Sequence, residues 1–454
     1  MKKIKMMVLL LAVMITFAAC GGNEATEENT DVVNDVVENT EKDVKEEMPA
    51  EATIKREAYL STEDYYMAIT LAEIGDYSAP LWKARLTDGT NIYDYDGYDF
   101  STEKIIDNIR YVFNETTKEA ICTTYNEKAF QDAGIDTLTI PTKVEGYKVV
   151  AVDFSGHSGY NKFIKKVVIE DGVRQIHGAF KMYEVLEEIV IPDSVVLITQ
   201  NSLSNCKNLK SITLPENLMW LDGLNYSAIT SVKIPENVKY LSGLNNSEIV
   251  EVTFAGEKLE AVYGQSFSEC PNLTTLQLPD SVKLIGNHIG ANSGISEFTL
   301  PASFEIIDSS LTHPGKVAML NTPYALNRGG DFLVWNDTLI GYYGDDATVI
   351  VPEGVKVIAP YAFDDSEAVI EVIVPEGVEV LGNACFERLE KIKTLTLPSS
   401  ITQIGNVHID RMNERSPYDD LYIGKPYAGF TVKLTGENKL VEALCEESSW
   451  EIVR

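Results

Sequence analysis

The sequence predicts a solenoid, in which successive turns of the chain each add one short parallel β-strand to a shared hydrophobic core. Three observations lead to this fold class. A strand-like phrase that ends in proline recurs between about residues 137 and 400, a second apolar phrase recurs between the prolines, and the period is 20–24 residues. Because one such unit cannot bury its own apolar face, the units must stack.

In the first phrase, apolar residues alternate with other residues, and the phrase ends at a proline. Its copies end at Pro192, Pro215, Pro235, Pro279, Pro301, Pro375 and Pro398, and Phe254-Ala255-Gly256 takes the place of one proline. Such alternation is typical of a strand with every second side chain in the core. The proline that follows cannot donate to a sheet and turns the chain.

The second phrase is a Val-x-x-Ile spacing that leads, in several copies, to a small residue and phenylalanine. Ala179-Phe180, Ser266-Phe267 and Ala362-Phe363 show this pair, and an apolar residue follows six positions after each phenylalanine. We expect these residues to fill the core from the wall opposite the strands. The units at 221–225 and 241–245 lack the pair and are shorter.

Together the two phrases resemble the BspA-type leucine-rich repeat of bacterial surface proteins, whose consensus is roughly L-x-x-I-x-I-P-x-x-V-x-x-I-G-x-x-A-F-x-x-C. The resemblance covers about 137–311 and 331–400. It implies a leucine-rich-repeat solenoid of strands and loops with few short helices. It also implies a surface protein that contacts host proteins, neighbouring cells or extracellular matrix.

The N-terminus predicts a secretory signal. A positively charged start, Met1 to Lys5, precedes fourteen apolar or near-apolar residues from Met6 to Ala19. Fourteen helical residues span about 21 Å, less than a hydrocarbon core of about 30 Å, so a membrane span is not expected.

Cys20 follows this segment and resembles the lipidated cysteine of a bacterial lipobox, although Phe17 stands where leucine is usual. The resemblance implies a lipid anchor at Cys20, which joins the protein to a membrane. The expected location is the extracytoplasmic cell surface, on the outer membrane if the cell is Gram-negative. An ordinary signal peptide with an incidental cysteine is the alternative.

Charge is concentrated after the signal. Asn23 to Glu51 contains eleven acidic residues, two lysines and no aromatic residue. Such a stretch buries too little apolar surface to offset its ordering entropy, so a disordered tether is expected, with a short helix at 32–37 as the alternative. The whole chain has 69 acidic and 38 basic residues and a net charge of −31, which argues against a nucleic-acid partner.

The predicted organisation has a small non-repeat N-terminal region and a C-terminal cap around the repeats. In order, it comprises a lipoprotein signal peptide (1–19), an acidic tether (20–55), a non-repeat region (56–108), a cap hairpin (109–136), repeats (137–311), an insert with a hairpin (312–345), repeats (346–400) and a C-terminal cap (401–454). Arg56 to Ile74 is compatible with a helix, and Leu440 to Cys445 predicts a short helix before a last strand.

Catalytic and metal motifs are weak. Gly156-His157-Ser158-Gly159-Tyr160 approaches a G-x-S-x-G nucleophile elbow but has Tyr160 in place of the last glycine and no strand–turn–helix context. Asp94, Asp96 and Asp99 stand in an acidic turn whose glycine is fourth rather than sixth, so a calcium-loop pattern is not met. Neither a cofactor nor an enzymatic activity is predicted.

The cysteines after Cys20 are predicted to be core residues. Cys206 and Cys270 occupy one repeat position three coils apart, a separation of about 14 Å, which is too long for a disulfide. Cys385 takes the small-residue position before a phenylalanine. These thiols are expected to pack as small apolar groups.

The candidate binding residues lie at the two strand positions that point away from the core, on a face expected to be concave. They are Ser211, Thr213, Ser231, Lys233, Glu251, Thr253, Thr275, Gln277, Glu297 and Thr299. Solenoids commonly bind through such extended faces. The alternative is that these residues serve only strand formation and solubility.

A second candidate is the aromatic cluster of the non-repeat region, which either contacts a partner or packs the cap. Its members are Tyr59, Tyr65, Tyr66, Tyr77, Trp82, Tyr93, Tyr95 and Tyr98.

The predicted function is non-catalytic recognition of an extracellular protein or glycan, as in adhesion or cell interaction. A structural or scaffold lipoprotein of the cell envelope is the alternative from another class. A hydrolase activity in the N-terminal region is a weaker one.

Overall fold

A computed structural model of the chain describes residues 84–85, 91–92, 98, 101, 103–155, 161–199, 201–286, 288–304, 316–327, 330–405, 407–408, 423–424 and 429–454. The predicted signal peptide, the tether, the compatible helix at 56–74, the Ser158 motif and the acidic turn around Asp94, Asp96 and Asp99 lie outside these residues. All members of the aromatic cluster except Tyr98 lie outside them as well.

The described chain begins with antiparallel strands. The elements are β1 (Ala84–Arg85), β2 (Asn91–Ile92), β3 (Lys104–Ile106), β4 (Ile109–Asn114), β5 (Glu119–Tyr125) and α1 (Glu127–Ala133). β4 pairs antiparallel with both β3 and β5, which confirms the predicted hairpin. The side chain of Asn126 accepts the N–H of Ala129 and caps α1, and Gly134 ends the helix with φ 69°.

From residue 137 the chain winds in coils that alternate between two walls. The strands are β6 (Thr137–Ile140), β7 (Lys143–Val144), β8 (Tyr147–Asp153), β9 (Lys166–Ile169), β10 (Gln175–His177), β11 (Glu188–Val190), β12 (Leu197–Thr199), β13 (Trp220–Asp222), β14 (Ser231–Ile234), β15 (Tyr240–Ser242), β16 (Glu251–Phe254), β17 (Ala261–Val262), β18 (Thr275–Gln277), β19 (Leu284–Ile285) and β20 (Glu297–Thr299).

One wall is a continuous sheet, called the long sheet here. Its eleven strands follow the order β19-β17-β15-β13-β12-β10-β8-β5-β4-β3, with β7 beside β8. Pairing is parallel from β5 to β19. The sequence predicted one strand per coil, whereas the Val-x-x-Ile half forms a second strand in most coils. Both halves therefore supply hydrogen-bonded walls to one core.

The opposite, proline-side wall consists of the strands that precede the recurring prolines. Its parallel pairing is interrupted, because β6, β9 and β11 form one sheet, β14 and β16 a second, and β18 and β20 a third. The inward residues of both walls, such as Ile198, Leu241 and Val232, belong to one buried cluster. This arrangement confirms the stacked solenoid.

The chain after β20 forms a short bridge and a second set of coils. The elements are a 3₁₀ helix (Lys316–Met319), α2 (Pro323–Leu326), β21 (Phe332–Trp335), β22 (Thr338–Tyr342), β23 (Thr348–Ile350), β24 (Val357–Ile358), β25 (Glu371–Ile373), β26 (Val380–Leu381), β27 (Thr394–Leu397), β28 (Gln403–Ile404), β29 (Val407–His408), β30 (Thr431–Leu434), α3 (Lys439–Ser448) and β31 (Glu451–Val453). The predicted hairpin (β21–β22), terminal helix (α3) and last strand (β31) are present.

Two sheets form the walls of this second set. One has the order β21-β22-β24-β26-β28-β29 and the other the order β23-β25-β27-β30-β31. Their side chains form a second buried cluster, which reaches from Leu339 to Cys445. The first cluster includes Trp335 and Ile340, so the two clusters meet at the β21–β22 hairpin.

Candidate binding surfaces

The predicted column lies on the proline-side wall and faces solvent. In β14, Ser231 and Lys233 are exposed while Val232 and Ile234 are buried. The same alternation in β18 exposes Thr275 and Gln277. The expected outward direction of these positions is therefore what the structure shows.

Parallel pairing places the column residues beside one another in two groups. Ser231 is opposite Glu251 and Lys233 opposite Thr253 in the β14–β16 sheet. In the β18–β20 sheet, Gln277 is opposite Thr299, and the Thr275 hydroxyl donates to Glu297 Oε2 at 3.3 Å. Each group presents hydroxyls and carboxylates at strand spacing.

Two of the predicted residues are not on a strand, which corrects the sequence interpretation. Ser211 and Thr213 are exposed, but 211–214 carries no strand pairing in the described wall. The step from Glu188 to Ser211 is 23 residues, whereas the step from Ser211 to Ser231 is 20. The long sheet shows the same two steps, 23 residues from Leu197 to Trp220 and 20 from Trp220 to Tyr240, so the shorter coil loses residues in the segment that leads from the long sheet to the proline-side wall. The column is therefore three separate patches.

The long sheet carries a row of side chains that sequence reasoning did not single out, called the outer row here. Its members are Gln175, Leu197, Trp220, Tyr240, Ala261 and Leu284, which are register partners in neighbouring strands. They alternate with core residues such as Ile198 and Leu221 and so face away from the core. The only sequence signal was the 20-residue spacing of Trp220 and Tyr240.

Aromatic stacking orders the middle of the outer row. The rings of Trp220 and Tyr240 lie 3.6 Å apart with an interplanar angle of 5°, and Tyr263 stands 5.9 Å from Tyr240. Stacked aromatic pairs contribute about 0.5–1.5 kcal/mol beyond their burial. The middle of the outer row is therefore apolar and aromatic, unlike the polar proline-side wall.

A hydroxyl–imidazole pair lies on the same face of the long sheet. His177 Nδ1 and Thr199 Oγ1 are 2.7 Å apart, and β10–β12 pairing places the two residues opposite each other. Both side chains are buried. A nucleophile and base need a substrate within reach, so this buried pair has the character of a structural contact.

A groove of about 820 Å³ follows the edge at which the proline turns lead into the long sheet. Lys239 and Lys283 line it on either side of Glu260, with Nζ–carboxylate distances of 3.8 Å and 3.3 Å. Lys258 and Glu257 line it as well, so the groove has three lysines for two glutamates. It is suited to acidic groups.

The cysteines of the repeats are buried and free, as predicted. Burial raises the pKa of the Cys206 thiol to about 12 and that of Cys445 to about 11, and it raises the pKa of Cys270. These thiols stay protonated at neutral pH and are poor nucleophiles and metal ligands. Within the described ranges, no cluster of three or more His, Cys, Asp or Glu residues is arranged to hold a metal ion.

Among the helices of the described residues, none combines the length and the apolar character needed to cross a membrane. The predicted lipidation residue, Cys20, lies outside the described residues.

Stacked coils with two strand-bearing walls around one core define a leucine-rich-repeat solenoid. A family model described as "BspA type Leucine rich repeat region" matches residues 152–254, 224–313 and 345–412 with six copies, together about half of the chain. The protein belongs to this BspA-type leucine-rich-repeat family. A comparison with curated proteins finds no match.

Solved structures of similar proteins come from several bacteria. A leucine-rich repeat protein from Bacteroides ovatus is 19% identical, with 73% of this chain and 84% of that chain covered and a TM-score of 0.42. A leucine rich cell surface protein from Faecalibacterium prausnitzii is 16% identical, with 76% and 98% covered and a TM-score of 0.37. The pneumococcal vaccine antigen PcpA is 14% identical, with 78% and 98% covered and a TM-score of 0.33.

Proposed function

We propose that this protein is a non-catalytic binding protein of the cell surface, which recognises an extracellular protein or glycan through the proline-side wall. The observation that carries the proposal is the exposed column on β14, β16, β18 and β20, whose alternate residues are buried or half-buried. Family membership supports a repeat-based binding role.

The chemistry of the column suits a polar ligand. Thr253 and Thr299 offer hydroxyls, Gln277 an amide, and Glu251 and Glu297 carboxylates, at intervals of about 4.8 Å across paired strands. Each hydrogen bond contributes only about 0.5–1.5 kcal/mol, so useful affinity requires several patches to engage one extended ligand. Glycan hydroxyls and peptide backbones both meet this requirement.

Removing two adjacent column side chains is expected to weaken binding. The double variant Lys233→Ala/Thr253→Ala should lower affinity about tenfold for a ligand found on a protein and glycan array, since it removes two polar contacts. Thr394→Ala/Thr396→Ala makes a matched change at the same outward positions of β27 in the second set of coils and should leave affinity unchanged. Equal affinity of both variants and the parent would contradict the proposal, and an array without any ligand would favour the scaffold role.

We further propose that a lipid at Cys20 holds the protein on a membrane. In the native host, Cys20→Ala should move the protein from the membrane fraction to the soluble fraction and abolish incorporation of labelled palmitate, because both signals depend on one thiol. Cys445→Ala, which also removes one cysteine, should leave both unchanged. Continued membrane association of the Cys20→Ala protein would refute the anchor.

A further inference from the structure

We propose that residues 56–83 of this same chain dock along the outer row of the long sheet and cover it. The first ground is burial. Trp220 is 0% exposed, Tyr240 1% and Leu197 2%, although all three point away from the core. Outward residues at the corresponding positions of the proline-side wall, such as Ser231 and Lys233, are exposed.

The residues that cover the outer row are not part of the solenoid core that the structure describes. None of the outer-row residues belongs to the buried clusters that the structure describes inside the two walls. Gln175 is also buried, and its amide N and O have no hydrogen-bond partner in the structure. An uncovered sheet face would leave a tryptophan and a glutamine amide in water, so another part of the molecule must lie over this face.

The course of the chain before β3 indicates which part of the molecule covers the outer row. Tyr98 packs with Val112, Ile121 and Ala151, and its hydroxyl donates to Glu119 at 3.3 Å. Ile121 is opposite Ala151, which is opposite Gln175, so Tyr98 lies on the face of the outer row. The chain that precedes Tyr98 therefore begins on this face.

The N-terminal segment has the composition that an apolar face requires. Residues 56–83 contain Tyr59, Tyr65, Tyr66, Tyr77 and Trp82, whereas Asn23 to Glu51 has no aromatic residue and eleven acids. A loop fixed at both ends, such as 305–315, reaches at most about 18 Å from its anchors, which is too short for the whole row. Residues 56–83 precede β1 and follow the predicted tether, so their reach is not limited by two nearby anchors.

The length of the N-terminal segment also fits the length of the outer row. Six strand steps separate β8 from β19, a distance of about 29 Å. Nineteen residues, 56–74, would span about 28 Å as the helix with which their sequence is compatible. In that helix Leu60, Met67, Leu71 and Ile74 share one stripe, which would face the outer row.

One edge of the outer row carries a small excess of positive charge. Lys239, Lys258 and Lys283 line the groove there together with Glu257 and Glu260, and Arg174 directly precedes Gln175. The segment brings five acids and one arginine before residue 77: Glu57, Glu63, Asp64, Glu73, Asp76 and Arg56. Attraction along this edge would fix the direction of docking.

Thiol labelling tests the proposal in the full chain, made soluble by Cys20→Ala. Ala261→Cys places a thiol in the outer row, and Thr253→Cys places one on the exposed proline-side wall. A maleimide should label Ala261→Cys about a hundredfold more slowly than Thr253→Cys, because labelling requires the cover to open. The five native cysteines after Cys20 are buried and give a low background.

Added charge in the segment should remove this protection. With Met67→Asp/Leu71→Asp, Ala261→Cys should label within about tenfold of Thr253→Cys. Thr62→Asp, on the opposite side of the same expected helix, should leave the protection intact. As a check that does not depend on the aspartate variant folding, Ala261→Cys paired with a cysteine at Met67 or Leu71 should form a disulfide within one chain.

Three results would overturn the proposal. One is rapid labelling of Ala261→Cys in the otherwise unchanged chain. Another is protection that persists in the Met67→Asp/Leu71→Asp chain, which would assign the cover to a different segment. The third is protection that rises with protein concentration, or a disulfide between two chains, which would assign the cover to a second copy.

Discussion

Gly223→Ala is expected to lower the free energy of unfolding by about 3 kcal/mol or more, because the added methyl group has no space. A Cβ at this position would lie 2.1 Å from the backbone O and 2.6 Å from the backbone N of Ser202 in the preceding coil. The glycine also has φ +140°, which other residues rarely adopt.

The neighbouring coils cannot move apart to admit the methyl group. Ser202 N–H donates to Thr199 O at 3.2 Å, and Leu224 N–H donates to Gly243 O at 2.7 Å. A Cβ on Gly243 would in turn lie 2.6 Å from Gly223 N. The two short units thus depend on two stacked glycines.

Gly377→Ala is the matched control for the Gly223 prediction. Gly377 has φ +103°, but a Cβ there would meet nothing within 4 Å. Its substitution should cost only the backbone strain, about 1 kcal/mol. Urea unfolding of both variants gives the comparison, and equal losses would show that contact with Ser202 is not the cause.

Phe363→Ala is expected to lower the free energy of unfolding of the second set of coils by about 3–5 kcal/mol. Phe363 is fully buried, with its ring 5.6 Å from Tyr342 and 5.1 Å from Phe386, so truncation leaves a cavity between three consecutive coils. Each coil contacts only its neighbours, so the damage is not compensated elsewhere.

Tryptophan fluorescence can show which set of coils loses stability. Trp450 packs against the second buried cluster, whereas Trp335 belongs to the first, so single-tryptophan versions report the two regions separately. The Trp450 transition should move to lower urea. Ile350→Ala removes an exposed side chain, 61% accessible, and should change stability by less than about 0.5 kcal/mol. A loss below about 1 kcal/mol for Phe363→Ala would contradict the expected role of the phenylalanine ladder.

The repeat itself was predictable because its residues obey local rules. Alternation in Ser231–Ile234 separates buried Val232 from exposed Lys233, and proline marks the end of the strand phrase. The small-residue–Phe pairs and the cysteines followed from their repeated positions. The buried states of Phe363 and Cys206 agree with those positions.

The two faces of the long sheet were harder to distinguish from the sequence. Leu197 and Ile198 are both apolar and both buried, yet they face opposite sides of the long sheet. Periodicity cannot separate these sides when both are covered. The interruption at Ser211 also escaped prediction, because pairing there depends on the lengths of neighbouring coils rather than on the residues of the phrase.

The division of the hydrophobic core at the β21–β22 hairpin has a mechanical consequence. Leu339 belongs to the C-terminal cluster, whereas Ile340 and Ala359, which follows β24, belong to the N-terminal one, so the two bodies of apolar packing join at β22 and the end of β24. Under a stretching load, either body can be pulled apart while the other keeps its shape. A chain stretched from its two ends would therefore lengthen in two discrete events rather than in one.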